Sequence, residues 1–282
     1  MNNNKVWLVT GASKGLGLAL VNQLLNQGYQ VAATSRSIDD LQAAVGQTTD
    51  AFLPLAVNLK SEQSIVDALD QIIARFGKID VVVNNAGYGQ VGGLEELSDE
   101  EARANFNINV FGSLNIIRQV MPHLRKQRSG HIFNISSIGG FTGNFPGFGI
   151  YCATKFAVHG FTESLAAEAA LFGIKATVVY PGYFRTNFLT SGSLSVPQNP
   201  IEEYSNVREV QSAHEDNING NQPGDPDKAA QVMIDVASDP EPPVHLFLGQ
   251  DAYDLAYQKI DIIKNDLEKW KPLITSTGYE QV

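Results

Sequence analysis

Tyr151 and Lys155 stand four residues apart in a strongly helical stretch, Tyr151-Cys-Ala-Thr-Lys155. On an α-helix that spacing puts the phenol and the ammonium on one face. A free phenol titrates near about 10, too high for useful proton exchange at neutral pH. A fixed neighbouring cation favours phenolate and lowers that value, which is the matching of pKa to working pH that general acid–base catalysis needs. The same spacing also arises in ordinary amphipathic helices, so the pair takes its meaning from its surroundings.

The second chemical signature is Thr10-Gly-Ala-Ser-Lys-Gly-Leu-Gly17, placed between an apolar strand and the helical Leu18–Leu25. Glycines at such a turn let backbone N–H groups of Gly11, Ser13, Lys14, Gly15, Leu16 and Gly17 approach a pyrophosphate, which the helix N-terminus stabilises. The glycine positions differ from G-x-G-x-x-G, and a tight turn alone would also use them. Gly11-Ala-Ser13-Lys-Gly15 formally matches the nucleophile elbow of α/β-hydrolases, with Ser13 as nucleophile. That reading lacks the strands before the elbow and an evident Asp–His context after it. The second strand ends at Thr34-Ser35-Arg36, where an NAD site would carry a carboxylate for the ribose hydroxyls. A neutral Ser35 followed by Arg36, with Lys14 in reach, suits a 2′-phosphate instead. The expected cofactor is NADP(H) rather than NAD(H).

Positioning these groups requires a particular scaffold. Apolar β-like runs begin at Val6–Thr10, Tyr29–Thr34, Phe52–Val57, Ile79–Asn84, Gly130–Ser136, Ile174–Tyr180 and Val244–Leu248. They are continuous rather than alternating, as parallel strands covered on both faces should be. Helical patterns separate them. From Ser61, residues Ile65, Leu69, Ile72, Ile73 and Phe76 form one stripe that Gly77 ends, and Ser98-Asp-Glu-Glu101 reads as a capping box before a long helix. Strands joined by helices predict right-handed crossovers in one doubly wound α/β domain spanning 1–282. The pattern weakens between Thr186 and Pro226, predicting a substrate loop over 187–224 that orders on binding. A helical extension, residues 251–282, contains a charged amphipathic helix over about Tyr253–Trp270.

Composition narrows the partners. A net charge of −10 argues against nucleic acid or an anionic membrane surface. No apolar run approaches the ~18 residues of a membrane span, and the polar start lacks a signal-type apolar region, so a cytoplasmic location is expected. The single cysteine, Cys152, excludes an internal disulfide and reads as a buried inert thiol. The histidines at 123, 131, 159, 214 and 245 show neither H-x-x-x-H nor H-E-x-x-H spacing, so no metal centre is expected. The sequon at Asn134 falls in an apolar strand and reads as accidental.

Further segments fall at the C-terminal ends of strands, where open α/β sheets bind ligands. They are Asn84-Asn85-Ala86-Gly87, Asn134-Ile-Ser136-Ser137-Ile-Gly139 and Pro181-Gly182-Tyr-Phe-Arg-Thr186. With the glycine turn and the Tyr–Lys pair, their order and spacing resemble the short-chain dehydrogenase/reductase family over roughly residues 5–250. The resemblance implies a seven-stranded parallel Rossmann-type sheet and an Asn109–Ser137–Tyr151–Lys155 tetrad. Asn109 would support a water relaying protons to the lysine, Ser137 would hold the substrate oxygen, and Tyr151 would donate its proton. Lys155 would bond the nicotinamide ribose and lower the phenol's pKa. Asn85, Ala86 and Gly87 would line the adenosine-side ribose, and Pro181, Gly182, Phe184 and Thr186 would border the nicotinamide. Where many members use Asp for the adenine amino group, this chain has Asn58 before Leu59; an amide oxygen can still accept that bond.

Tyr88, Gln90, Phe141, Tyr183 and Phe188 flank the proposed chemistry as pocket wall, with Phe145 and Phe148 adding to it, so the expected substrate is a hydrophobic ketone, aldehyde or alcohol. The Tyr183–Phe188 run resembles the branch related to 17β-hydroxysteroid dehydrogenases. By the same resemblance the chain assembles as a homodimer or homotetramer through the helices of Tyr151 and Asn109, with Ala153, Ala157, Phe161, Leu165 and Phe172 as apolar surface. The competing reading is a nucleotide-binding regulatory protein that kept the fold without catalysis; a sensor, however, has no use for a tuned phenol.

Overall fold

A computed structural model describes residues 4–190 and 193–279. Residues 191–192 of the expected substrate loop, 280–282 of the C-terminal extension and 1–3 lie outside the described residues. Strands β1 (Val6–Thr10), β2 (Gln30–Ser35), β3 (Phe52–Ala56) and β4 (Val81–Asn84) alternate with helices α1 (Gly15–Asn26), α2 (Ile38–Val45) and α3 (Glu62–Phe76). After a short β5 (Gly89–Gln90) come α4 (Asp99–Phe106), α5 (Ser113–Gln127), β6 (Gly130–Ile135), α6 (Gly149–Ala169) and β7 (Ile174–Pro181). The rest comprises β8 (Leu194–Ser195), α7 (Ser205–Ser212), α8 (Pro226–Val236), β9 (His245–Leu248) and α9 (Gln250–Ile274).

All seven expected strands form one parallel sheet in the order β3-β2-β1-β4-β6-β7-β9. The strands are apolar throughout because both faces are covered. Val9, Val83 and Phe133 meet α1 and α8 on one side, while the adjacent Leu8, Val82 and Ile132 meet α3, α5 and α6 on the other. Strand order reverses between β1 and β4, and the glycine turn leaves β1 at that crevice. In register, Thr10 lies beside Thr34, Asn84 beside Asn134, and Pro181 beside Leu248. The chemistry-bearing segments therefore leave the sheet along one edge.

Local signals set the helix ends. Ser61 caps α3, whose stripe ends at Gly77 with φ 80°, a left-handed conformation suited to glycine. Ser98 and Glu101 form the reciprocal capping box. The long helix expected there is interrupted by a π-turn over residues Asn107–Gly112. This widened turn carries Asn109, and such turns recur at functional positions.

The 187–224 segment carries more structure than its composition suggests. β8 pairs with β5, matching Gly89 to Leu194 and Gln90 to Ser195. Arg208 on α7 bonds Glu96 at 2.7 Å, and the same carboxylate accepts from the Ile201 and Gly93 N–H groups. Although burial acts to raise it, those N–H bonds and the Arg208 guanidinium hold the Glu96 carboxyl below the usual range. At the segment's far end, the Gly224 N–H donates to the Tyr183 carbonyl at 2.9 Å.

Two expectations change. Leu165 is buried, and Phe161 and Phe172 are partly buried on the chain's own core, so much of the apolar surface of these three is already covered within the chain. Phe111 and Phe156 are the exposed aromatics of this region. The last helix, α9, is longer than Tyr253–Trp270 and packs only its start, with Ala252 and Ala256 buried against Ile138. Among the described residues, no helix is long and apolar enough to cross a membrane.

Candidate active site

The strand ends open into a cavity of about 1370 Å³. Pockets for drug-sized ligands measure roughly 300–1,000 Å³, so this volume has room for a dinucleotide and a second molecule. Tyr151, Lys155 and Ser137 line it together. The Ser137 hydroxyl lies near enough to the Tyr151 phenol to favour its ionised form, and the Ser137 oxygen accepts from the Gly139 N–H at 3.0 Å. Helix α6 rests on the end of β6 through two bonds: Lys155 Nζ donates to the Ile135 carbonyl at 2.8 Å, and the Ser136 hydroxyl donates to the Lys155 carbonyl at 2.8 Å.

The electrostatics differ from the sequence expectation. Burial pushes the Tyr151 phenol above its ordinary value, only partly offset by the Ser137 hydroxyl. Lys155 does not reverse this: its Nζ sits 5.7 Å from the centre of the phenol ring and bonds to Ile135, and burial outweighs the cation. Burial brings the Lys155 ammonium down to about 8. At neutral pH the phenol is thus held protonated.

Asn109 does not line the cavity. Its side chain accepts from the Tyr88 N–H and donates to the Tyr88 carbonyl, each at 3.0 Å, and donates to the Thr154 hydroxyl at 3.1 Å. It stands behind Gly87, where an added Cβ would lie 3.0 Å from Asn109 Oδ1 and 3.5 Å from Lys155 Nζ. The widened helical turn thereby touches the back of the lysine through the β4 loop.

On the other side of the cavity lies the glycine turn. Gly11 and Gly15 have φ of 64° and 59°. A Cβ at Gly11 would lie 2.7 Å from Ala86 Cα, and one at Gly17 would collide with the Asn85 amide. No side chain caps the first turn of α1, which leaves its N–H groups facing the cavity, the arrangement an anion requires. Ser13, Lys14, Leu16, Ser35, Arg36, Leu59, Pro181, Gly182, Phe184 and Thr186 also line the cavity. Burial, then the adjacent Arg36, lowers the Lys14 ammonium, so two cations converge here. Asn85 does more than line a ribose: its amide donates to the Thr10 and Gly11 carbonyls, each at 2.9 Å, and holds the turn. The Asn58 amide oxygen already accepts from the Lys60 N–H at 3.1 Å, which leaves it one lone pair for a ligand. These residues fit a pyrophosphate flanked by a second anionic group.

On the substrate side, Tyr88, Tyr183, Phe188, Phe145 and Phe148 line the cavity, with the Tyr151 and Phe188 rings 5.9 Å apart. Two expected wall residues do not. Gln90 is buried and donates to the Val91 and Ser195 carbonyls, because β5 turns its side chain into the β8 pairing. Phe141 packs edge-on against the stacked Tyr180 and Phe247 rings, in the cluster under α9. Composition gave no pointer to three other residues at this site. His214 Nε2 bonds the Tyr183 hydroxyl at 2.9 Å, while its Nδ1 donates to the Val210 carbonyl at 2.7 Å. Gln222 lines the cavity with an amide that has no hydrogen-bond partner among the described residues. Asp251, at the start of α9, accepts from the Tyr183 N–H at 2.6 Å and crowds Gly182.

Ser13 has no triad: His214 is the one histidine lining the cavity among the described residues, and it is engaged by Tyr183 and Val210. Burial pushes the Cys152 thiol up to about 11, so it stays a thiol at neutral pH. The histidine spacing that pointed to no metal overlooks a tertiary cluster of His159, Glu163 and His245.

Comparison with known proteins agrees with this geometry. Residues 5–194 match the family model described as short chain dehydrogenase. The chain is 36% identical over 270 residues to oxidoreductase BOA17 of Botryotinia fuckeliana, covering 95% of this chain and 97% of that protein. It is also 36% identical over 247 residues to the 3-ketodihydrosphingosine reductase of Bacteroides thetaiotaomicron, covering 87% and 88%. A short-chain dehydrogenase from Streptomyces avermitilis superposes with a TM-score of 0.88 at 35% identity, covering 98% of both chains. More distant solved relatives hold NADH, NADP or NAD. The chain belongs to the short-chain dehydrogenase/reductase family, oxidoreductases that interconvert carbonyls and alcohols with a nicotinamide dinucleotide.

Proposed function

We propose that the protein is an NADP(H)-dependent reductase of a bulky, hydrophobic ketone or aldehyde, with Tyr151 as the proton donor. The observation that carries this reading is the Tyr151 phenol beside Ser137 in the cavity, held protonated by burial. A carbonyl oxygen placed against the two hydroxyls receives one bond from Ser137 and a proton from Tyr151. The bound dinucleotide supplies the hydride. The phenolate left behind gains from the Lys155 ammonium beside the ring, since an adjacent cation favours the charged form. Asn109 is a positioning residue that fixes Tyr88 and the β4 loop against Lys155.

The glycine turn would hold the pyrophosphate, with Asn58 and Leu59 at the adenine and Lys155 at the nicotinamide ribose. Selection for NADP(H) rests on Lys14 and Arg36: two neighbouring cations repel each other until a dianion lies between them. The aromatic wall of Phe145, Phe148 and Phe188 supports an apolar substrate body, either a long chain, as the name of the Bacteroides relative suggests for that protein, or a polycyclic frame as in the hydroxysteroid branch. Exposed Phe111, in the widened turn before α5, and Phe156 on α6 support assembly into a dimer or tetramer through these helices. The test is NADPH oxidation against a panel of apolar ketones, with NADH in parallel. Turnover confined to small polar carbonyls would defeat the substrate reading.

A further inference from the structure

We propose that His159, Glu163 and His245 form a binding site for a divalent transition-metal ion of the zinc class, outside the active site. One ligand atom from each residue lies within 4.8 Å of the other two. His159 Nε2 is 3.3 Å from one Glu163 oxygen, and His245 Nε2 is 3.3 Å from the other. Around tetrahedral zinc, with bonds of about 2.0–2.1 Å, adjacent ligand atoms stand roughly 3.3 Å apart. The carboxylate is therefore already at ligand spacing from both imidazoles.

The surroundings orient the ligands. The Gly140 carbonyl can only accept, so His159 Nδ1, 3.3 Å away, carries the proton and Nε2 keeps its lone pair for a metal. The Tyr180 hydroxyl bonds His245 Nδ1 at 3.1 Å and holds the ring with Nε2 toward Glu163; where that hydroxyl accepts the Nδ1 proton, Nε2 keeps its lone pair for a metal. Phe141 stacks on the His159 ring at 6.1 Å and 10°, and Tyr180 on the His245 ring at 6.1 Å and 19°. Hydrogen bonds to the ring nitrogen opposite the metal are what hold ligating imidazoles in place. Two imidazoles and one carboxylate suit zinc, cobalt, nickel or copper rather than magnesium or calcium.

Glu163 and His245 are exposed, so water can complete the coordination. None of the three residues lines the substrate cavity. The ion would instead fasten the edge strand β9 to α6, one and two turns beyond Lys155 on the same helix. β9 runs directly into α9, whose Asp251 bonds the cavity-lining Tyr183. The site thus braces the far rim of the active site without joining its chemistry.

The test uses untagged, chelator-treated full-length protein, titrated with Zn²⁺ alone by calorimetry and with Co²⁺ by visible absorption. The expected result is saturable uptake of one ion per chain, with a visible cobalt band. The thermal midpoint should rise by several degrees at ~100-fold the dissociation constant. H245A and E163Q should each weaken binding by more than ~10-fold, and Tyr180→Phe by about 10-fold through the outer shell. No saturable uptake at millimolar Zn²⁺ would overturn the proposal, showing a cluster held by protons alone. So would equal uptake by an H159A/H245A double variant, or Mg²⁺ binding as tightly as Zn²⁺.

Discussion

Lys155 Nζ lies 2.8 Å from the carbonyl oxygen of Ile135, two residues before Ser137. That bond ties the helix carrying the phenol to the strand end carrying the serine, so the positions of the three side chains are set together. It also directs the ammonium to the back of the phenol ring. The phenol is left to burial, which favours its neutral form.

Tyr151→Phe removes the proton donor but keeps the ring packed against Phe148 and Phe188. Turnover should fall by about 10²–10⁴-fold, the usual worth of a positioned acid. Dinucleotide affinity, read by quenching of protein fluorescence, should stay within a few-fold of wild type. A variant with wild-type kcat would remove Tyr151 from the chemistry.

The pH dependence turns on Lys155. Its ammonium, brought to about 8 by burial, is present below that pH and lost above it. Reduction should therefore decline as pH rises through about 8, while Lys155→Arg, which stays charged, should carry the falling limb to higher pH. The same shift acts on stability. Between about 8 and 10.5 the unfolded chain binds a proton at this lysine that the native chain does not, so stability rises with pH there. Relative to Lys155→Met, wild type should recover about 3 kcal/mol across that window, measured by urea unfolding at fixed pH values. A constant difference would show that the lysine titrates alike in both states.

Much of this site was legible in the sequence because its backbone signals are local. Glycines in left-handed conformation, capping residues and apolar runs act within a few positions, and they mark all seven strands of the main sheet and the glycine turn, but not the short β5–β8 pair. Side-chain direction was less accessible. Gln90 and Phe141 lie close in sequence to lining residues, but a two-residue β-pairing and the packing of α9 turn them away. His214 and Gln222 reach the cavity, and Asp251 reaches Tyr183 behind it, from distant segments through tertiary contacts that no spacing encodes. The same holds for His245, whose partners His159 and Glu163 form an ordinary i, i+4 pair on α6.

Arg36→Asp replaces one of two cations that converge at the end of β2. A charged hydrogen bond is worth about 1.5–3 kcal/mol, or roughly 10–100-fold in affinity. The ratio of kcat/KM for NADPH over NADH should fall by at least that factor, with Lys14→Ala causing a smaller loss. Unchanged discrimination in both variants would take the pair out of nucleotide selection.

Gln222 offers a different kind of test, because its side chain is buried with neither amide atom bonded among the described residues. Replacing an unsatisfied polar group by an apolar one of similar shape is neutral or stabilising. If the amide exists to meet a ligand, Gln222→Met should hold or raise the thermal midpoint while raising KM for substrate or dinucleotide about 5–30-fold, the cost of one lost hydrogen bond. Measuring both KM values separately tells which molecule the amide meets. A lowered midpoint with unchanged KM values would mean that Gln222 supports the fold, and that the polar end of the pocket belongs to Tyr183 and His214 alone.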